Sequence, residues 1–136
     1  MTINARNTGA SGERELIKLL QRCVDNAGVT ATLGRNLEQT RSGGVDIVGI
    51  DWLSGEIKRC EVLQLEKWWS KLLSLTTAEQ TPVLFYRRNQ EQWSVRCKVR
   101  IPLADGRWVT ALGTVTLDAW LVWFHETLKV RGASKE

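Results

Sequence analysis

"GVDIVGIDWLSGEIKR", Gly44–Arg59, sets Asp46 inside one apolar run and places Glu56 and Lys58 either side of an isoleucine in the next. The runs read as two strands, "VDIVGI" over 45–50 and "EIKRCEVL" over 56–63, joined by a turn at "DWLSG", 51–55. Side chains alternate across a strand. Asp46 and Val48 therefore share a face of the first strand, and Glu56 and Lys58 share a face of the second, with Ile57 opposite. Paired through the turn, the strands bring Asp46, Glu56 and Lys58 to one side near one end of a sheet. Two carboxylates a few ångströms apart repel each other unless a cation sits between them. Mg²⁺ suits such a place, because it takes oxygen ligands, keeps several waters and accepts phosphate oxygens. Lys58 beside it would position or help deprotonate a water, or stabilise developing negative charge. A solvent-facing hairpin with a surface Lys–Glu pair has the same spacing, so the decision rests on the rest of the chain.

The segment upstream supplies a third acid. Ser11 is placed to cap a helix over 12–27, "GERELIKLLQRCVDNA", which Gly28 ends. At 100° per residue, setting Glu13 at zero puts Ile17 at about 40°, Leu20 at about −20° and Val24 at about 20°. Glu13 thus lies on the apolar stripe, while Glu15, at about 200°, points away. A carboxylate on a buried stripe costs stability unless it is paired or serves a site; a frayed first turn would instead leave it in water. Three carboxylates and a lysine converging on one sheet face are what metal-dependent phosphodiester hydrolysis requires.

The remaining elements complete an α/β domain with a mixed sheet. "VTATLGR", 29–35, reads as a strand and "NLEQTRSGG" as a polar loop. "LEKWWSKLLSLTTAEQ", 65–80, reads as a helix closed by Pro82, and "PVLFYR", 82–87, as a strand. "WSVRCKVRIPL" enters a hairpin that turns at "ADGR", and "LDAWLVWFHETLKV", 117–130, is a C-terminal helix. The order is αβββαβ, then a hairpin and a helix, which makes an α/β (α+β) architecture. At 136 residues one domain is expected. A net charge of +4 leaves room for a polyanionic partner without requiring one. Cys23, Cys60 and Cys97 show no paired spacing and read as reduced thiols, and the single histidine, His125, argues against zinc. No apolar leader opens the sequence and no segment is long enough to span a bilayer, so a cytoplasmic protein of cellular or viral origin, with no membrane contact, is expected.

Together these motifs resemble the PD-(D/E)XK nuclease superfamily and, within it, the archaeal-type Holliday junction resolvases. "GASGERELIKLL" resembles that family's N-terminal helix motif, "SGGVDIVGI" its Asp-bearing strand, and "EIK" its Glu-x-Lys. The match spans roughly residues 8–95, the nuclease core, and leaves 96–136 as an extension. The resemblance implies a restriction-endonuclease-like fold with Glu13, Asp46, Glu56 and Lys58 as catalytic residues. Asp46, Glu56 and Glu13 would be the metal ligands, and Mg²⁺ the cofactor, with Mn²⁺ able to substitute. It implies Arg14 as a phosphate contact, and Arg35, Arg41 and Ser42 compete for the family's arginine and serine before the aspartate. It further implies in-line hydrolysis leaving a 5′-phosphate and a 3′-hydroxyl, and a homodimer that resolves four-way junctions. Alternatives are a related nuclease acting on branched, nicked or linear DNA, and a catalytically silent DNA-binding module of the same fold.

Two further patterns bear on that expectation. In "VRCKVRI" Arg96, Lys98 and Arg100 fall on one strand face and Val95, Cys97, Val99 and Ile101 on the other. This is a solvated face or a stripe that tracks DNA phosphates. Seven tryptophans are many for this length. Core packing comes first for them, then a dimer interface, then base stacking. The helices bearing "WWSKLL" and "AWLVWF" are the candidate dimer interface.

Overall fold

The helix that carries Glu13 begins earlier than its expected cap. The computed structural model describes residues 5–36 and 45–134 of the chain, and in it helix α1 runs over Ala5–Asn26. Ser11 is thus inside the helix rather than capping it. The stretch "ARNTGAS" holds no proline to break the helix, and extending a nucleated helix adds one hydrogen bond for each residue fixed. Leu16, Ile17, Leu20 and Val24 form its buried stripe, as the angular spacing requires.

The first two strands are shorter than the sequence indicates. β1 is Gly34–Arg35 and β2 is Ile47–Val48, paired antiparallel with each other. Upstream of β1 the Gln21 side chain takes the backbone polar groups that a strand partner would have taken. Its Oε1 accepts from Leu33 N at 2.8 Å and its Nε2 donates to Ala31 O at 3.0 Å.

The main sheet has four strands in the order β3-β4-β5-β6: β3 Leu53–Arg59, β4 Thr81–Arg87, β5 Ser94–Pro102 and β6 Trp108–Thr116. β3 and β4 are parallel and the other pairs antiparallel, a mixed sheet. The crossover from β3 to β4 carries helix α2, Leu65–Leu75. It stops short of the expected residue 80 because Thr76 turns extended, and Thr77 and Gln80 close a turn of their own. Helix α3, Leu117–Arg131, follows β6 directly and is capped by Thr116, whose hydroxyl accepts from Ala119 N.

Two hydrophobic clusters hold these layers. On one face, Ile57, Val83, Phe85, Val95 and Cys97 pack against α1 and against Leu117, Trp120, Phe124 and Leu128 of α3. Trp52 is wholly buried there and donates from Nε1 to Gly132 O at 2.8 Å. On the opposite face Trp68, Trp69 and Leu72 of α2 cover Leu84 and Tyr86. The tryptophans of "WWSKLL", together with Trp120 and Phe124 of "AWLVWF", are therefore core. α2 covers the β3–β4 half of its face, and α1 and α3 cover the other face, so most of the apolar side chains of those two helices are used inside the chain, while Leu73, Val122 and Trp123 stay exposed. The three cysteines are unpaired. Among the described residues, no helix is long and apolar enough to cross a membrane.

Candidate active site

Asp46 reaches Glu56 without the ladder that the hairpin reading called for. β2 pairs with β1, not β3. Asp46, just before β2, docks instead on the free edge of β3: its N–H donates to Gly55 O at 3.0 Å, and its Oδ2 accepts from Ile57 N at 2.7 Å. The carboxylate thus stands in for a strand partner. Gly55 makes room for this, since a Cβ there would stand 2.7 Å from Cδ1 of Ile47.

Glu56 and Lys58 lie in register with Leu84 and Tyr86, so both face the α2 side of the sheet. Asp46 is 4% exposed and Glu56 3%. Lys58 Nζ stands 3.7 Å from Glu56 Oε1 and 5.8 Å above the Trp68 ring. Among the described residues Oε2 of Glu56 is buried with no hydrogen-bond partner. Burial and then the negative charge of Asp46 push the Glu56 carboxyl up to about 7; Lys58 and Lys71 pull against the rise, and a hydrogen bond with Asp46 adds to it. A buried, crowded pair of carboxyls whose joint ionisation is resisted by burial and mutual repulsion, with Lys58 beside it, fits a hard divalent cation that binds through one or two carboxylates and would take the place of the shared proton.

Glu13 is not gathered into that pair. Its Oε2 accepts from Arg35 Nε at 2.8 Å, and Arg35 pairs with Ile47 next to Asp46. Among the described residues no three His, Cys, Asp or Glu side chains stand close enough to share one metal ion. What relates the Glu13–Arg35 ion pair to the Asp46–Glu56 pair is the β1–β2 register, in which Arg35 lies opposite Ile47, the residue after Asp46. Glu13 does point inward and Glu15 outward, with side chains 20% and 44% exposed. Glu15 meets Arg87 at 3.4 Å.

The other sequence candidates are distributed as follows. Arg14 is exposed on α1. Arg41 and Ser42 lie outside the described residues. Arg96, Lys98 and Arg100 share the α2-side face of the sheet with Glu56, because Glu56, Leu84, Arg96 and Thr114 form one cross-strand row. Lys98 and Arg100 are exposed, and Arg100 stacks 4.9 Å over Trp108. Sequence reasoning missed Trp68 and Lys71. Their i, i+3 spacing puts both on one side of α2, but only the packing of that helix brings them to Glu56 and Lys58. A cavity of about 310 Å³ whose lining includes Val83, Cys97, Trp120 and Trp123, together with Lys98 and Arg100 of β5, has none of Asp46, Glu56, Lys58, Trp68 or Lys71 in its wall.

Comparison of the sequence with protein-family models and with curated proteins returns no match. Among solved structures, a Holliday junction resolvase, Hjc, from the archaeal hyperthermophile Archaeoglobus fulgidus is similar with a TM-score of 0.49 and 13% identity. The similarity covers 83% of this chain and 97% of that one.

Proposed function

We propose that this protein is a divalent-metal-dependent endonuclease of the PD-(D/E)XK type that acts on branched DNA, four-way junctions first. The observation that carries this reading is the buried Asp46–Glu56 pair with Lys58 beside it, on residues whose motifs resemble those of the junction resolvases. Asp46 and Glu56 would hold Mg²⁺, with Mn²⁺ as a substitute. When bound, the ion supplies Lewis-acid stabilisation of the phosphate and a more acidic water.

The chain's own groups do the rest. Asp46, fixed by Ile57 N, keeps its carboxylate oriented toward Glu56. Lys58 donates to a non-bridging phosphate oxygen or to the attacking water, and its ammonium offsets the charge that builds in the transition state. Trp68 beneath it limits the paths this flexible side chain can take. Arg35 holds Glu13 at the border of the site, where the carboxylate orients Arg35 toward substrate rather than binding metal directly. Water adds in line to phosphorus as the bond to the 3′ oxygen breaks, leaving a 5′-phosphate and a 3′-hydroxyl. Arg96, Lys98 and Arg100 lie on the same sheet face and provide a track for the DNA backbone.

Resolving a junction takes two cuts at symmetry-related points, and one chain supplies one site, so the active species is a two-fold dimer. Incubating a labelled four-way junction, a nicked duplex and a linear duplex with the protein, with and without Mg²⁺, tests the reading. Mg²⁺-dependent cutting with the junction preferred supports it. Binding without cutting identifies a silent DNA-binding module, and equal cutting of all three substrates identifies a general nuclease.

A further inference from the structure

The two edges of the main sheet are treated differently. The β3 edge is closed by Asp46, which satisfies Gly55 O and Ile57 N. Among the described residues nothing pairs with the β6 edge. Exposed edge strands usually carry lysine, proline, a bulge or a covering element that prevents pairing with another chain. β6, "WVTALGTVT", carries no charged residue and no proline over nine residues, while Trp108, Val109 and Leu112 are 54%, 44% and 43% exposed.

The hydrogen-bond phase of the hairpin shows which groups are free. Leu103 N donates to Arg107 O at the turn. Antiparallel pairs alternate between bonded and non-bonded, so with the register Ile101↔Val109 and Arg100↔Thr110 the residues Thr110, Leu112 and Thr114 turn their backbone N–H and C=O groups outward.

The strand is also its own complement. Counted outward from Leu112, the neighbours are Ala111 and Gly113, then Thr110 and Thr114, then Val109 and Val115. A two-fold axis at Leu112 would set small residue against small, threonine against threonine and valine against valine, the cross-strand pairs that stabilise sheets. It would bring no like charges together on the paired strands. The cations of β5 in the two copies would lie three strand spacings apart, roughly 14 Å, beyond the Debye length of about 8 Å at physiological salt.

We propose that two copies of this chain associate by antiparallel pairing of their β6 edges about a two-fold axis at Leu112, joining two four-stranded sheets into one of eight. This deepens the dimeric part of the proposed function by naming its surface, and it places the interface on β6 rather than on α2 and α3.

Light scattering on the full chain tests it without any DNA. The parent protein should show twice the chain mass. Leu112→Lys sets two lysines against each other and should halve the measured mass. Thr114→Pro removes an N–H that faces away from β5 and should do the same, and circular dichroism on both variants should report the parent fold. Under mild oxidation Leu112→Cys should cross-link to a disulfide dimer on a non-reducing gel, while Val109→Cys and the parent should not, since only residue 112 meets its own copy. A monomeric parent at about 100 µM, or a dimer that persists in both folded variants, overturns the proposal. The Asp46→Asn variant should remain dimeric; dimers formed by a protein that never cuts DNA would sink the nuclease reading and leave the pairing intact.

Discussion

Glu56→Gln should stabilise the metal-free protein at alkaline pH while abolishing its chemistry. Burial and Asp46 raise the Glu56 carboxyl from 4.5 to about 7. A folded-state pKa above the unfolded one means that Glu56 contributes stability fully below about pH 4.5. That contribution is lost as pH rises through about 7. The separation is roughly 2.5 units at 1.36 kcal/mol each, so wild type forfeits about 3 kcal/mol between pH 5 and pH 8 that a neutral glutamine does not forfeit. At roughly 2–4 °C per kcal/mol for a chain near this size, the melting temperature of Glu56→Gln relative to wild type should climb by about 6–12 °C over that interval. The assay is thermal unfolding by circular dichroism in EDTA at a series of pH values, repeated with Mg²⁺. Bound metal should stabilise wild type and close much of the gap at pH 8, because it offsets the repulsion that the mutation removes. A wild-type–variant difference that stays constant from pH 5 to pH 8 would refute the view of this pair as a strained, cation-seeking site.

Other expectations concern individual groups. Glu13→Gln should lower turnover on a junction substrate at least tenfold by releasing Arg35, whereas Glu15→Gln, which loses only an exposed contact with Arg87, should stay within twofold in single-turnover kinetics. Lys58→Met should cost about 10²–10³ in cleavage rate with DNA affinity nearly unchanged, as expected when one charge-stabilising donor is removed; a tenfold or smaller loss would take Lys58 out of the chemistry. Replacing Arg96, Lys98 and Arg100 together with alanine should reduce the slope of log K against log salt by up to about 2.7, read by anisotropy across a salt series; an unchanged slope would place the DNA elsewhere. Trp52→Ala should destabilise the fold by about 3–5 kcal/mol in urea denaturation, since Trp52 is wholly buried and its indole N–H bonds Gly132 O.

The helices and the long strands were legible because their signals are local. The 3.6-residue stripe of α1, the alternation of β5 and the apolar run of β4 each survive in the structure nearly where the periodicity places them. What failed depended on partners distant in sequence. "VTATLGR" has strand composition, yet Gln21 from α1 takes its backbone groups, so only Gly34–Arg35 pairs as strand. β2 was expected to pair with β3 and pairs with β1, while the Asp46 side chain supplies the contact to β3. Alternation alone put Glu56 and Lys58 on one face, and Asp46 joins them through its dock on Gly55 and Ile57 rather than through the expected hairpin pairing. The engagement of Glu13 by Arg35 could not, because it depends on how α1 crosses β1. Nor could the approach of Trp68 and Lys71 to the acids, which depends on which face of the sheet α2 covers. Trp68, Trp69 and Trp120 are core for the same reason, since α2 and α3 lie on opposite faces of the sheet, while Trp123 stays partly exposed.

Cleavage of a fluorescently labelled four-way junction by the purified protein bears most directly on the central claim, run in Mg²⁺, in EDTA, and in Mg²⁺ with Asp46→Asn. Paired cuts in Mg²⁺ alone, with none in EDTA and none from Asp46→Asn despite intact DNA binding, are the expected result. A folded wild-type protein that leaves the junction whole in Mg²⁺, or an Asp46→Asn variant that cuts as well as wild type, would contradict it.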